Sequence, residues 1–403
     1  MPSRMEQEGA VTPLQDSRAE GKESIVYPYE FDCSIRRRAK SFSSASFRLS
    51  VAASALEFLL LSAIIFSGGG EALALRLMHY PFYFAAPLFI SIIFTLMFAA
   101  GLPFAWTSFR QKQRFGIAVL PPLKWLKDEI KFYVLSLVIA AAASVLVLLL
   151  ISISGLWWIY AAAIYVLFIL LYSRFFPLLA ARFFYTFREL PEGRARDGVL
   201  ELLNALGLQN LKISMLDESA RSRSANAFVT GLGRAKRVVL FDNLVNTFDP
   251  EEVKCIAAHE LGHYLAGDSS RSMAIQSAAA FLYAGVIYLV YSLSLTSRLL
   301  YSRTDPLSLL IMSLTAGMLS LLLSPLANYY SRLREKKADE FSLRASGNPE
   351  AFISGEKRLC DINLMDEEPS YLRRILFATH PSTLERIEMG KRWTGGRNTS
   401  DRD

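Results

Sequence analysis

The sequence has few cysteines and few histidines, and each shortage excludes a class of protein. Its 403 residues contain 3 cysteines, Cys33, Cys255 and Cys360, an odd number with no repeated spacing. Neither a disulfide framework nor a cysteine-based zinc module is predicted, so free thiols in a reducing compartment are expected. Two of the 4 histidines stand close together in CIAAHELGHYLAG, at residues 255–267.

The marks of a secreted or a nucleic-acid-binding protein are also missing. No apolar stretch followed by a small-residue cleavage site lies near Met1, so no cleaved signal peptide is expected. The net charge is +7, but the basic residues cluster at the ends of apolar runs and form no single binding module. We therefore expect no nucleic-acid partner and interpret these charges as topology signals.

Long apolar runs dominate what is present. Hydrophobic residues make up 52% of the chain and the mean hydropathy is +0.27, which is typical of a membrane-embedded protein. A helix of about 20 residues crosses the bilayer core. Six predicted spans cover residues 51–67, 82–105, 133–153, 157–180, 273–295 and 306–325.

The spans divide the chain into five parts. They are a polar and basic N-terminal segment at 1–50, four spans at 51–181 with a basic loop at 107–132, a polar domain at 182–272, two spans at 273–325, and a C-terminal part at 326–403. Lys and Arg are dense in the N-terminal segment, the basic loop, the polar domain and the C-terminal part. They are sparse in the three other connections between spans. The positive-inside rule then predicts that both termini and the polar domain are cytosolic.

The polar domain carries signals of mixed α and β structure. LPEGRARDGVLELLNALGLQ has apolar residues at helical spacing, which predicts an amphipathic helix. KISMLDE, NAFVTG and RVVLFDNL favour strands, with GLGRAK as the turn between the last two. A small sheet is therefore predicted beside the histidine pair.

The two close histidines lie on a well-marked helix. Asp249 is the predicted N-cap of TFDPEEVKCIAAHELGHYLAG, and Pro250 takes the first helical position. At positions i and i+4, His259 and His263 project from one face about 6 Å apart along the axis, so both can bind one ion. Glu260 lies beside that face. The alternative is a helix with two surface histidines by coincidence.

This pattern suits peptide hydrolysis. Zinc lowers the pKa of bound water to ≈ 7 and polarises the scissile carbonyl. A carboxylate beside that water can take its proton and deliver it to the leaving amine, a role that fits Glu260. We predict one Zn²⁺ per chain.

A third ligand is required for tight binding. Cys255 is on the same helix, but it is about 12 Å from His263 along the axis, too far to share the ion. In NYYSRLREKKADEFSLR, after the sixth span, Glu335 and Asp339 share one helical face. Glu335 is the predicted ligand, and Asp339 can accept a hydrogen bond from a ligand histidine. Taken alone, such a face is usually a solvated charge pattern.

The last histidine, His380, lies in ATHPSTLERIE. With Arg386 it could donate hydrogen bonds to the oxyanion of a tetrahedral intermediate. From spacing alone, a loop histidine before proline is more often incidental.

These motifs together resemble the type I CAAX prenyl proteases, integral-membrane zinc metalloendopeptidases. The resemblance runs over most of the chain. It is carried by QRFGIAVLPPLKWLKDEIK, LPEGRARDGVLELLNALGL, SANAFVTGLGRAKRVVLFDNL, HELGH, SRLREKKAD and THPSTLER. HELGH alone is shared by many zinc proteases, whereas the ordered set is specific.

The resemblance implies a role for each matching residue. It places the metal on His259, His263 and Glu335, with Glu260 as general base and Asp339 supporting a ligand. His380 and Arg386 become transition-state or substrate contacts. Asn226 and Ala227, in the hairpin, would hold substrate backbone against an edge strand.

The predicted fold is mostly α: a polytopic membrane helical barrel of about six spans around a chamber, with a small α+β zincin-like catalytic domain. The predicted function is removal of CAAX-type tails from prenylated proteins or peptides. A broader membrane-protein quality-control protease and a non-enzymatic zinc-stabilised scaffold remain alternatives. We expect a monomer in the lipid bilayer, in the plasma membrane of a prokaryote or the endoplasmic reticulum and inner nuclear membrane of a eukaryote.

Overall fold

Helices account for most of the chain. The computed structural model describes residues 28–183, 187–230 and 236–400. The helices are α1 (Cys33–Phe66), α2 (Gly69–Leu77), α3 (Phe82–Arg114), α4 (Pro122–Ile153), α5 (Trp157–Phe183), α6 (Arg194–Ala205), α7 (Asp242–Thr247), α8 (Pro250–Leu265), α9 (Asp268–Thr296), α10 (Leu307–Ser346), α11 (Pro349–Ile362), α12 (Tyr371–Phe377) and α13 (Thr383–Ser400). The strands are β1 (Phe187–Glu189), β2 (Lys212–Leu216), β3 (Ala227–Thr230) and β4 (Arg237–Phe241).

Six long helices close into a ring. Among the described residues, α1, α3, α4, α9 and α10 are long and apolar enough to cross a membrane, and Trp157–Leu171 of α5 is a shorter apolar stretch. Each predicted span coincides with one of these six helices, and only residues 67 and 306 lie one residue outside. Neighbours pack in the order α1, α3, α4, α5, α9, α10 and back to α1. The predicted barrel and fold class are confirmed.

The short elements α2 and β1 are among those that the sequence patterns did not predict. α2 follows Gly68, whose positive φ of 79° suits glycine and turns the chain after α1. A Cβ at Gly70 would lie 3.0 Å from Leu307 Cδ1, so α2 packs closely on the start of α10. The three residues of β1 are too few to show a periodic pattern.

The predicted division at residue 50 is not a structural boundary. α1 is continuous from Cys33 and begins at Asp32, whose side chain accepts hydrogen bonds from the backbone N–H groups of Ser34 and Ile35. The basic residues of the N-terminal segment therefore continue the first membrane helix. They form its polar end.

The polar parts of the chain gather at one end of the ring. In the loop between α3 and α4, Val119 donates its backbone N–H to the Arg221 carbonyl at 3.0 Å. Near the start of α1, Arg36 forms an ion pair with Glu367 at 3.1 Å. The N-terminal part of α1, the basic loop, the polar domain and the C-terminal part thus share one side, as the charge pattern predicts.

The sheet has the order β1-β2-β4-β3. β2 and β4 pair in parallel, while β1 with β2 and β3 with β4 are antiparallel. All three predicted strands are present, and most of the predicted turn between β3 and β4 lies outside the described residues. α6 and α8 pack together over a core that includes Val199, Leu203, Leu240 and Leu261, all at most 1% exposed.

A capping box starts α8. Asp249 accepts a hydrogen bond from the Glu251 N–H at 3.0 Å, and Glu252 accepts one from the Asp249 N–H at 2.9 Å. Glu252 is fully buried, where it pairs with Arg358 Nε at 2.8 Å and with the Ser354 hydroxyl. This carboxylate joins α8 to α11 as well as capping α8.

Replacing Glu252 by alanine is expected to destabilise the polar domain by about 3–5 kcal/mol, because it leaves the Arg358 charge buried with one partner fewer. Thermal unfolding of the purified protein in detergent measures this loss. The matched control is Glu251→Ala in the same helical turn, for which about 0.3–1 kcal/mol is expected. Equal shifts for the two variants would contradict the role of the buried pair.

Candidate metal site

Three side chains from α8 and α10 converge on one point. The Nε2 atoms of His259 and His263 are 3.2 Å apart. Each lies 3.3 Å from a carboxylate oxygen of Glu335. All three ligand atoms fall within 4.8 Å of one another. Two imidazole nitrogens and one carboxylate at this separation fit a single metal ion, with a position left for water or substrate.

Gly262 allows α8 and α10 to approach. A Cβ at this position would lie 3.1 Å from Phe341 Cδ1 and 3.2 Å from Phe341 Cβ, on the facing turn of α10. Glycine in a helix interior carries a cost relative to alanine, which the close approach explains here. The glycine of HELGH thus sets the distance between the histidines and Glu335.

Replacing Gly262 by alanine is expected to push α8 from α10, with a loss of about 1–3 kcal/mol of stability and a lower metal content. Thermal unfolding and elemental analysis measure the two effects. Gly198→Ala in α6 is the control, because a Cβ there would lie 3.7 Å from the nearest atom, on the flexible Lys254 side chain. If Gly262→Ala kept full metal content and stability, the spacing argument would fail.

Carboxylates hold the outer nitrogen of both imidazoles. Nδ1 of His259 lies 2.8 Å from Asp339 Oδ1, and Nδ1 of His263 lies 2.7 Å from Asp268 Oδ2. A carboxylate accepts, so each Nδ1 carries the hydrogen and each Nε2 keeps its lone pair for the metal. Asp339 is fully buried and Asp268 is 7% exposed.

The helical spacing of Asp339 places it near a ligand, whereas no sequence pattern indicates Asp268. Asp268 is the first residue of α9, directly after Gly267, whose φ is +67°. An acidic residue in the first turn of a helix is usually explained by the helix dipole. The one sequence feature that could have indicated its contact with His263 is its position five residues later, at the start of the next helix.

The cluster favours positive charge at its centre. Burial lowers the pKa of His259, but hydrogen bonds to Asp339 and Glu335 outweigh this effect and raise it to about 10. Burial also opposes protonation of His263, and the hydrogen bond to Glu335 raises its pKa above the usual value. A metal ion supplies the same positive charge and displaces these protons when it binds.

Glu260 and His380 lie beside the cluster. Burial raises the pKa of Glu260, while the charges of His259 and His263 act to lower it. Nδ1 of His380 lies 2.8 Å from Glu335 Oε2, and the His380 side chain is 63% exposed. The structure therefore brings the predicted base and the loop histidine to the site.

Arg386, which was expected to contact the transition state or substrate, is held by two buried carboxylates. Its Nε and Nη2 atoms donate to Asp339 at 2.9 and 2.5 Å, and its Nη1 pairs with Glu356. All three nitrogens are engaged, and the side chain is 11% exposed, behind His259. The buried acids Asp339 and Glu356 attract this guanidinium inwards, which linear spacing does not reveal.

Cys255, rejected as a ligand from its spacing, and the hairpin residues Asn226 and Ala227 are not among the three residues that can hold a metal. Cys255 is 2% exposed and its thiol donates to the Asn348 carbonyl at 3.7 Å. Burial raises the Cys255 pKa to about 12. Asn226 immediately precedes β3, an edge strand, and Ala227 begins it. The Asn226 side chain is exposed and accepts a hydrogen bond from the Ala227 N–H at 2.9 Å.

Both halves of the chain match known family models. Residues 189–394 match peptidase family M48. Residues 30–186 match a model described as CAAX prenyl protease N-terminal, five membrane helices. The two matches cover the ring of membrane helices up to α5 and the whole metal site.

Individual proteins are similar over most of the chain. The uncharacterized metalloprotease YhfN of Bacillus subtilis is 27% identical over 320 residues, 78% of this chain and 74% of that protein. The CAAX prenyl protease 1 homolog of Arabidopsis thaliana is 28% identical over 312 residues, 73% of each chain. The crystal structure of S. mikatae Ste24p has the same fold, with a TM-score of 0.76, 21% identity, and 89% of this chain and 88% of that chain covered.

Proposed function

The chain belongs to peptidase family M48 and is a multi-pass membrane metalloprotease, and from that premise we propose that it is a zinc endopeptidase that cleaves CAAX-type C-terminal tails of prenylated proteins. The observation that carries the proposal is the convergence of His259, His263 and Glu335 within 4.8 Å. The CAAX specificity is supported by the match of the membrane helices to the CAAX prenyl protease N-terminal model.

We assign one zinc ion to this donor set. Imidazole nitrogens and a carboxylate oxygen are ligands that suit Zn²⁺. When bound, zinc supplies a Lewis acid that activates water and polarises the scissile carbonyl. Asp339 and Asp268 hold the two imidazoles in the tautomer that presents Nε2. Arg386 acts through Asp339, which it holds with two hydrogen bonds.

Glu260 is the proposed general base. Its pKa is raised by burial, which brings a carboxylate closer to the value that suits proton transfer near neutral pH. It takes the proton of the attacking water and delivers it to the leaving nitrogen of the substrate. Because Glu260 follows His259 directly on α8, its backbone is fixed by the same capped helix as the ligands.

His380 is the proposed donor to the oxyanion. It reaches the cluster from the loop between α12 and α13, and Nδ1 of its exposed side chain lies 2.8 Å from Glu335 Oε2. A donor held there stabilises the charge that develops on the scissile carbonyl oxygen. The ligand imidazoles cannot serve this purpose, since their Nδ1 atoms are engaged by carboxylates.

The substrate backbone is proposed to add to β3. Within the part of the chain that the structure describes, β3 pairs with β4 alone, so its other edge can accept an extended peptide. Asn226 and Ala227 lie where that edge begins. The prenyl group would remain among the apolar side chains of the membrane ring, which delivers the tail to a site at one end of the ring.

Mass spectrometry of the products from one peptide, in farnesylated and unmodified forms, tests this function. The proposal expects cleavage after the prenylated cysteine and release of the C-terminal tripeptide, with the farnesylated form strongly preferred. Equal cleavage of both forms at scattered internal bonds would instead identify a broader membrane-protein protease. A metal-loaded protein that cleaves neither would support the scaffold alternative.

The polar side of the ring is proposed to face the cytosol, by the positive-inside rule. Single cysteines at Lys124, Lys212 and Arg392, in a Cys33→Ser background, are expected to react with an impermeant thiol reagent only from that face. A cysteine at Arg303, in the opposite loop, should react only from the other face. The reversed pattern would overturn the orientation and leave the chemistry of the site untouched.

A further inference from the structure

We propose that Arg332 and Asn328 of α10 are positioning residues that fix His380 by capping the C-terminal end of α12. The inference rests on the proposed role of His380. No motif spacing suggests it, because the partners of the two side chains are backbone carbonyls more than 40 residues further along the chain.

Three carbonyls at the end of α12 accept hydrogen bonds from α10. Arg332 Nη1 donates to the carbonyls of Arg374 and Ala378 at 3.1 and 2.6 Å. Asn328 Nδ2 donates to the carbonyl of Leu376 at 2.7 Å. The Arg374 carbonyl also accepts the Ala378 N–H, at 3.3 Å. Carbonyls at the C-terminal end of a helix carry the negative end of its dipole, so a guanidinium is well suited to bind them.

These bonds fix one end of the loop that carries His380. Ala378 lies two residues before His380, at the C-cap of α12. The other end is fixed at Ser382, whose N–H donates to Glu385 Oε2 at 2.8 Å. The His380 side chain is 63% exposed, so packing does little to place it. Its position therefore depends on the two anchored ends.

One face of α10 carries both the third metal ligand and the side chains that bind the end of α12. Asn328, Arg332 and Glu335 follow each other at intervals of four and three residues, so they share that face. Glu335 closes the metal cluster and contacts His380 at 2.8 Å. A single rigid helix thus fixes both the third ligand and the backbone that presents the oxyanion donor.

Loosening this cap should affect turnover more than binding. Displacing a catalytic group by about 1 Å can cost on the order of 10²-fold in rate. For Arg332→Ala we expect kcat to fall by about 10–100-fold while KM changes by less than about threefold, because an oxyanion donor acts in the transition state. Metal content should stay at that of the unchanged protein, since the three ligands do not depend on α12.

A double-mutant cycle with His380→Ala tests the mechanism. If Arg332 acts through His380, Arg332→Ala lowers kcat strongly in the natural chain and by less than about twofold in the His380→Ala chain. If the two losses multiply instead, Arg332 has another role and the positioning proposal is overturned. A His380→Ala variant with normal kcat would overturn the role of His380 itself, while the metal site and Glu260 would stand.

Further variants distinguish a loss of positioning from a loss of folding. Lys337→Ala, an exposed residue on the same helix, is the matched control and should keep normal kcat. Arg332→Lys should recover part of the lost kcat, since one nitrogen makes both bonds in the natural chain. If Arg332→Ala does not fold, Asn328→Ala takes its place in the cycle with an expected loss of about tenfold. An unchanged kcat in Asn328→Ala would then overturn the proposal.

Discussion

Replacing Glu260 by glutamine is expected to lower peptide hydrolysis by about 10²–10⁴-fold, the range that general acid–base catalysis contributes. The amide has nearly the same shape as the carboxylate but cannot take a proton from water. Glu260 lies outside the group of three that can hold a metal, so the metal content should remain near one ion per chain. Turnover of a farnesylated peptide and elemental analysis of the same sample measure the two quantities together.

The same substitution at Glu251 is the control for Glu260→Gln. Glu251 lies in the first turn of α8, at the opposite end from the metal cluster. Glu251→Gln should keep nearly full turnover. If Glu260→Gln turned over substrate at the natural rate, another group would have to be the base. If it lost the metal, its effect on turnover would no longer report on proton transfer.

Replacing Glu335 by alanine is expected to remove both the metal and the activity. The variant leaves two imidazoles, and a site with two protein ligands binds zinc weakly. In the natural chain Glu335 is 6% exposed and faces both Nε2 atoms. We expect the metal content to fall from about one ion per chain to near zero after dialysis.

Asp268→Asn provides a graded comparison for Glu335→Ala. The amide oxygen can still accept a hydrogen bond from His263 Nδ1, but it lacks the negative charge that makes Nε2 a stronger ligand. The metal affinity should therefore fall by about 10–100-fold. Titration with a competing chelator measures both variants on one scale. An Asp268→Asn variant that loses metal as completely as Glu335→Ala would mean that Asp268 is itself a ligand, contrary to its position against Nδ1.

The fold was predictable from sequence where one physical signal dominates. The spans at 133–153 and 273–295 are visible because lipid requires a long apolar helix, whatever its neighbours. β1 carries too few residues for such a signal. The parallel pairing of β2 with β4 depends on contacts between distant segments. Local patterns predict strands but not their partners.

The site was predictable to the extent that it is built from helical spacing. His259 and His263 are one turn apart on a capped helix, so their convergence follows from the sequence. Glu335 was inferred from a shared face with Asp339, and the structure brings it to the imidazoles. The pairing of Arg386 with two buried carboxylates was not predictable, because it joins segments that are distant in the chain. Asp268 was not predicted because its contact with His263 joins two successive helices and has no helical spacing.

The central claim is that two helices, α8 before the fifth crossing and α10, the sixth crossing helix, at its end proposed to be cytosolic, hold one zinc ion between them. Anomalous diffraction from crystals of the active protein, collected on both sides of the zinc absorption edge, tests it most directly. We expect a single peak about 2.0–2.2 Å from His259 Nε2, His263 Nε2 and a Glu335 oxygen. Active crystals with no peak at this position, or with Glu335 turned away from the peak, would contradict it.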